Sequence, residues 1–218
     1  MKDESILQLS ETFYSIQGES SFAGYPCLFF RLSGCNLRCS YCDAKYTYEE
    51  PGTSTPLSTL LSEAARYPNA LIEITGGEPL LQDGIYPLMD TLLAAGRTVL
   101  LETNGSISIE RVPKEVVKII DLKCPESGMS EKMDLANIDL LMPHDEVKFV
   151  LSSRGDYDWA RDMISNHRLA EKAKLILSPV IGRLKPSLLA QWLMADALPV
   201  RLQLQLHTLL WPEMKRGI

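Results

Sequence analysis

The sequence predicts a parallel α/β fold, an incomplete barrel fronted by an N-terminal strand or hairpin. Three observations carry that prediction. Strand-like apolar runs alternate with helical runs, and each strand ends in a polar or glycine-rich tip, the pattern of parallel α/β architecture. The residues with chemical potential follow those strand ends, where such folds place their sites. Residues 105–145 show no full-length helical pattern, and Ser127 to Asn137 reads as a loop, so helices of a complete barrel are missing. A chain of 218 residues fits one domain, 1–218, and no linker divides it.

Residues 6–17 loosely alternate apolar and polar side chains, which suits a strand or hairpin running into the loop Gln17-Gly18-Glu19-Ser20. Pro26 to Leu32 reads as a buried strand, with Cys27 a small core residue and Arg31 needing a carboxylate partner, either a structural Glu or a ligand. Residues 45–56 form a polar connection, and Leu57 to Tyr67 is helical. Ala70 to Thr75 is the next strand and ends in Gly76-Gly77-Glu78-Pro79, where two glycines admit a ligand close to the backbone. Pro79 opens a helix over 80–95 that Gly96 caps. Strands follow at Arg97 to Leu101, ending in Glu102-Thr103-Asn104-Gly105, and at Val117 to Leu122, ending in Lys123-Cys124-Pro125. A further strand, Glu146 to Leu151, contains Lys148, read either as a site residue or as a strand residue with a surface-reaching amine. Helix 156–170 has Asp156 as its N-cap. Strand Leu175 to Pro179, helix 186–197 and a last strand, Val200 to Leu206, lead to His207.

Composition narrows the function. Lys plus Arg is 22 and Asp plus Glu is 28, a net charge of −6 without a basic stripe, which argues against nucleic acid as a partner. No window reaches the ~18 apolar residues of a membrane span, and Met1 to Ser10 lacks the apolar core of a signal peptide. Five cysteines, three of them crowded together, fit a reduced cytoplasmic protein better than a disulfide framework.

Those three, Cys35, Cys39 and Cys42, are spaced C-x3-C-x2-C in one loop. Thiolates select zinc, copper(I) or iron–sulfur. A closed zinc site wants four protein ligands, and no histidine lies near. A [4Fe–4S] cube held by three cysteines keeps one iron open, and S-adenosylmethionine (SAM) is a partner for such an iron in radical chemistry. With Tyr41 before the last cysteine and Gly76-Gly77-Glu78-Pro79 one strand later, the chain resembles the radical SAM superfamily. That resemblance implies a partial (β/α)6 barrel, here abridged.

The likeness is more specific still. Phe13 to Glu19, Phe30 to Leu37, Ile74 to Pro79, Glu102 to Gly105, Asp121 to Pro125, Gln205 to His207 and the ending Trp211 to Ile218 resemble the 7-carboxy-7-deazaguanine synthase family. The resemblance implies a homodimeric lyase of 7-deazapurine (queuosine-type) biosynthesis. It would use a [4Fe–4S] cluster and SAM, with a reductant such as flavodoxin or ferredoxin. It would rearrange 6-carboxy-5,6,7,8-tetrahydropterin to 7-carboxy-7-deazaguanine and lose ammonia. One electron into the cluster cleaves SAM to a 5′-deoxyadenosyl radical, which takes the hydrogen at the substrate's C6.

It also implies roles. Tyr41, Asp43, Gly76, Gly77, Glu78, Asn104 and Lys123 resemble the SAM-binding set. Ile16, Gln17, Gly18, Glu19, Arg31, Thr75 and His207 resemble the pterin-binding set, with Arg31 on the carboxylate and Glu19 on the guanidine-like edge. Glu102 is the expected proton acceptor, and the tail 211–218 is expected to close over the pocket. The family's Asp-Thr after the third cysteine helps hold Mg2+; here the pair is Asp43-Ala44, which puts Mg2+ in doubt, and without the metal Arg31 and Lys45 would balance the substrate's charge. Three other readings stand beside this one: a glycyl-radical-enzyme activase, an iron–sulfur electron carrier, and a zinc-stabilised binding module.

Overall fold

The computed structural model describes residues 5–214 and 216–218; residues 1–4 of the N-terminal stretch and Lys215 of the tail lie outside the described residues. One nine-stranded sheet organises the chain, in the order β3-β1-β2-β4-β5-β6-β7-β8-β9. Six strands, β2 (Pro26–Leu32), β4 (Leu71–Gly76), β5 (Val99–Thr103), β6 (Val117–Asp121), β7 (Glu146–Leu151) and β8 (Lys174–Pro179), run parallel. The two-residue β9 (Arg201–Leu202) extends them. The expected N-terminal hairpin is β1 (Ile6–Ile16), antiparallel to β2 with Glu11 opposite Arg31.

The connections explain why the barrel is abridged. Helix α3 (Ile85–Ala94) links β4 to β5, α4 (Arg154–Asn166) links β7 to β8, and α5 (Pro186–Asp196) links β8 to β9. Among the described residues no α-helix links β5 to β6, and only 3-10 turns link β6 to β7, as the helix-poor sequence of 105–145 implies. The strands alternate faces. Ile72, Ile74, Val99, Leu101, Ile120, Val147 and Phe149 pack outward against Leu60, Leu88, Leu92, Tyr157 and Ile164 from the helices. Their neighbours in sequence point inward, where Leu100, Val117 and Ile119 form an apolar floor. Above that floor the inward side chains include Glu73, Thr75, Glu102, Asp121 and Lys148 beside the apolar Phe29 and Val150.

Several local expectations are corrected. The connection 45–56 contains a helical turn, α1 (Tyr46–Glu49), and an edge strand, β3 (Thr53–Pro56), which leads directly into α2 (Leu57–Ala65). β3 pairs with β1 because its Ser/Thr alternation suits an exposed edge. Pro79 opens a 3-10 turn, Pro79–Leu81, and α3 begins only after Gly84. Ser153, not Asp156, caps α4: its side chain accepts from Asp156 N. The Asp156 carboxylate is buried instead, accepting from Ser152 N at 2.8 Å and Glu126 N at 3.0 Å. The last strand shrinks to β9, and His207 lies in a short helix, α6 (Leu206–Leu210). Among the described residues no helix is long and apolar enough to cross a membrane.

Candidate active site

A cavity of about 610 Å3 opens at the carboxyl ends of the parallel strands, within the range of small-molecule sites. Every site residue expected from the sequence lines it except Glu78. The Glu78 carboxylate is fully buried and spent on structure: it accepts from Leu80 N (3.0 Å), Thr103 Oγ1 (2.8 Å) and Asn104 N (2.7 Å). It braces the tip of β5 against the tip of β4. Lys45 also lies off the cavity; among the described residues the Lys and Arg side chains that line it are Arg31, Lys123 and Lys148.

The cysteine loop is fixed at both ends. Gly34 sits at φ +90°, a conformation glycine adopts freely. A Cβ on Gly77 would stand 2.1 Å from Gly34 O, so only glycine lets the β4 tip meet the loop backbone to backbone. Gly77 N donates to Leu32 O (3.1 Å) and Glu78 N to Gly34 O (2.8 Å). With these N–H groups used, what the turn can offer a ligand is carbonyl oxygen, which suits an ammonium donor. At the loop's far side Tyr41 Oη donates to Val150 O (3.0 Å) and Ser40 N to Ser127 O (3.0 Å).

Cys35, Cys39 and Cys42 are free thiols, partly exposed on the cavity wall. Burial raises the Cys39 and Cys42 thiols, and the Lys123 charge pulls both the other way. Among the described residues no three His, Cys, Asp or Glu side chains close on one ion position. Three thiols spread round one open wall fit a multi-iron cube, whose irons are separate, better than a single zinc. A buried, unpartnered acceptor, Asp121 Oδ1, and the Lys123 amine bonded to Asp121 Oδ2 at 2.7 Å lie on the same wall. These residues fit the cluster and SAM.

The opposite half of the cavity is a charge network that the sequence reading left largely unseen. Lys148 is buried, which overturns the surface-amine alternative. Its Nζ lies 2.7 Å from Glu19 Oε2, bonds Glu102 Oε1 and lies 3.6 Å from Asp121 Oδ2. Burial alone would lower the Lys148 pKa; these carboxylates outweigh it and raise it well above the ordinary lysine value. Burial likewise works to raise Glu102, but Lys148 and the Thr75 hydroxyl (3.0 Å) hold it at about 2. Glu73, two residues before Thr75 on the same inward face, goes the other way. Burial, reinforced by the Glu102 charge, pushes it up to about 8.

Glu73 also orients the loop of residues 17–19 by accepting from Gln17 Nε2, while Gln17 Oε1 accepts from Glu19 N at 3.0 Å. Glu146 accepts from Ser21 N with both oxygens, at 2.8 and 3.0 Å, and Gln203 Nε2 donates to Ser20 O at 2.9 Å. Side chains from β4, from β7 and from the residue just after β9 thus clamp residues 17–21. His207 closes on this loop: a Cβ on Gly18 would lie 2.3 Å from His207 Nδ1, and Leu206 N donates to Gly18 O at 3.0 Å. Glu19 is doubly engaged, by Lys148 and by Gln205 Nε2 at 2.8 Å. Arg31 finds the structural partner its burial demands in Glu11, through Nε at 2.8 Å. Its terminal nitrogens have no hydrogen-bond partner among the described residues.

Glu73, Lys148 and Asp121 are the cavity groups that sequence reasoning did not assign. The available signal was a charge standing in an otherwise apolar strand, the same signal that singled out Arg31.

The fold and site agree with what comparison finds. A family model described as the radical SAM superfamily matches residues 31–170. A 7-carboxy-7-deazaguanine synthase from Chlorobaculum tepidum is 45% identical over 221 residues, covering 100% of both chains. One from Koribacter versatilis is 42% identical and covers 97% of this chain and 100% of its own. The crystal structure of QueE from Escherichia coli superposes with a TM-score of 0.75 over 92% of this chain and 94% of that one; at 22% identity this likeness speaks for the fold. A family match over most of the barrel, joined to full-length relatives of one kind, leads to one conclusion: this chain belongs to the radical SAM superfamily and, within it, to the 7-carboxy-7-deazaguanine synthase family.

Proposed function

We propose that this protein converts 6-carboxy-5,6,7,8-tetrahydropterin to 7-carboxy-7-deazaguanine and ammonia; the product is the one its relatives are named for, and the substrate follows from the family resemblance. The observation that carries the reading is the pairing, in one cavity, of three cluster-type thiols with an arginine whose terminal nitrogens are unengaged. An activase acting on a protein, or a simple electron carrier, has no use for such a carboxylate fork beside the thiols. The bound [4Fe–4S] cluster and SAM supply the 5′-deoxyadenosyl radical; the chain supplies everything that follows.

Cys35, Cys39 and Cys42 would hold the cluster, and the Gly76-Gly77 turn, Asn104 and Lys123, which line the same cavity, would bind SAM. Arg31 takes the substrate carboxylate through its fork. The clamped loop Gln17 to Glu19, with His207 over Gly18, fixes the heterocycle's plane. Thr75 and Lys148 keep Glu102 ionised, so it is ready to accept a proton, and the same contacts limit its basicity to protons that the rearrangement has already acidified. Ile16 and the floor beneath keep water from the radical. A flavodoxin- or ferredoxin-type donor and a homodimer complete the reading, on the strength of the family resemblance.

The test is Arg31→Lys, which keeps the charge and loses the planar fork. Turnover of the carboxylated pterin should fall about tenfold to a hundredfold, the worth of one charge-assisted hydrogen bond, while uncoupled SAM cleavage persists. Wild-type kinetics would remove Arg31 from the substrate site.

A further inference from the structure

Glu11 lies on β1, outside the cavity lining, and connects two parts of the site. Its Oε1 accepts from Arg31 Nε and from Tyr46 Oη, both at 2.8 Å. Its Oε2 accepts from the backbone N–H of Gly217 at 3.1 Å. The adjacent Arg216 bonds Glu50 through two nitrogens and stacks 4.1 Å from the centroid of Tyr46. Met214 and Ile218 of the same tail reach the cavity wall. The tail and Arg31 therefore share one carboxylate.

That sharing has a chemical consequence. A carboxylate facing an arginine prefers to take two of its N–H groups at once. Left with a bare Oε2, Glu11 could rotate and occupy a terminal nitrogen of Arg31 as well as Nε. It would then compete with any ligand carboxylate for the fork. Gly217 N–H occupies Oε2 when the tail is docked, so Glu11 holds Arg31 by Nε alone and the terminal edge stays open to the cavity. By linkage, whatever fills that edge must in turn favour the docked tail.

We propose that Glu11 is a positioning residue that couples docking of the tail, residues 211–218, to seating of a carboxylate ligand on Arg31. The proposal rests on the role given to Arg31 above.

The experiment uses reconstituted, SAM-loaded protein without reductant, so nothing turns over. Two probes are titrated, 6-carboxytetrahydropterin and 6-methyltetrahydropterin, and amide hydrogen exchange of the tail is followed. Arg216 is half exposed and makes no contact with Arg31; it stacks on Tyr46, which lines the cavity, and the methyl probe controls for any change at that ring, so Arg216→Gln tests the tail. It should weaken the carboxylated probe about tenfold and leave the methyl probe unchanged. In a Glu11→Gln background, whose amide cannot saturate the fork, the same change should have no further effect. The carboxylated probe should slow tail exchange in the wild type and not in Glu11→Gln. Equal weakening of both probes, an equal loss in both backgrounds, or equal tail protection in Glu11→Gln overturns the proposal. If the wild type binds neither pterin, the substrate reading has failed. The ligand-free tail still decides the tie to Glu11: exchange no faster in Glu11→Gln than in wild type overturns it.

Discussion

Lys148→Met asks how much one buried ammonium contributes. Methionine keeps the length and flexibility of the side chain and drops the charge. Only 5% of the Lys148 side chain is exposed, and it serves Glu19, Glu102 and Asp121 together. Removing one partner of a buried ion pair costs about 3–5 kcal/mol. A second route starts from Glu102, held at about 2 against an ordinary 4.5. At about 1.4 kcal/mol per unit that is roughly 3 kcal/mol. It is an upper bound, because 27% of the Glu102 side chain is open to the cavity and solvent screens it. The two routes meet at about 3 kcal/mol. The sign follows from linkage: a depressed carboxyl adds stability that is complete above its unfolded value and is lost as pH falls through its folded value. In the variant Glu102 loses that depression, and Glu73, already raised, loses the one cation that opposed the rise. Raised carboxyls destabilise at high pH and are relieved as they protonate. The deficit should therefore be about 3 kcal/mol near pH 7.5, persist while Glu102 stays ionised in the wild type, and be smaller by about 1–2 kcal/mol near pH 3. Urea unfolding at both pH values measures it. A deficit below about 1 kcal/mol, or one that does not change with pH, would refute the reasoning.

Two further outcomes follow from placement in the fold. Cys39→Ala should abolish turnover and lower iron content, whereas Cys27→Ala should keep about four irons per chain, because Cys27 is fully buried in β2 and does not line the cavity; iron loss in Cys27→Ala would contradict the assignment. Ala44 lines the cavity and has no side-chain oxygen, so after chelation Mg2+ should stimulate the wild type less than Ala44→Thr, since Mg2+ requires oxygen ligands; equal stimulation would show that the hydroxyl does not matter.

The fold was legible because its signals are local. Gly76-Gly77, Gly96 and the cysteine loop each mark the end of an element, and the parallel strands between them stand out as short segments rich in Val, Ile and Leu. Gly96, at φ +72°, ends α3 as expected. The errors arose where local signals were answered by distant partners. Ser153 and Asp156 are both good capping residues, and only the position of Glu126 decides that Asp156 is consumed elsewhere. The weak alternation of residues 53–56 becomes a strand only because β1 offers it an edge. Val200 to Leu206 looks like a strand as strongly as β8 does, but Gln203 is drawn to Ser20 and Leu206 to Gly18, and the chain leaves the sheet after two residues.

The site was legible only in part, for a reason specific to a barrel interior. Glu73, Glu102, Asp121 and Lys148 each stand in an apolar strand, and each alone reads as a stray charge. In Ile72-Glu73-Ile74-Thr75 the apolar members face the helices, so the two polar members must face the cavity. Periodicity thus shows that these residues point inward, but it cannot say which strands are neighbours. The strand order β4-β5-β6-β7 brings Lys148 to Glu102. That contact, absent for Glu73, shifts two glutamates on adjacent strands in opposite directions, Glu102 down and Glu73 up. Environments that push two carboxyls apart are how one cavity holds both a proton donor and a proton acceptor. Here the separation comes from where a single lysine can reach: its amine bonds Glu102 and Glu19, while Glu73 is left with the neutral amide of Gln17.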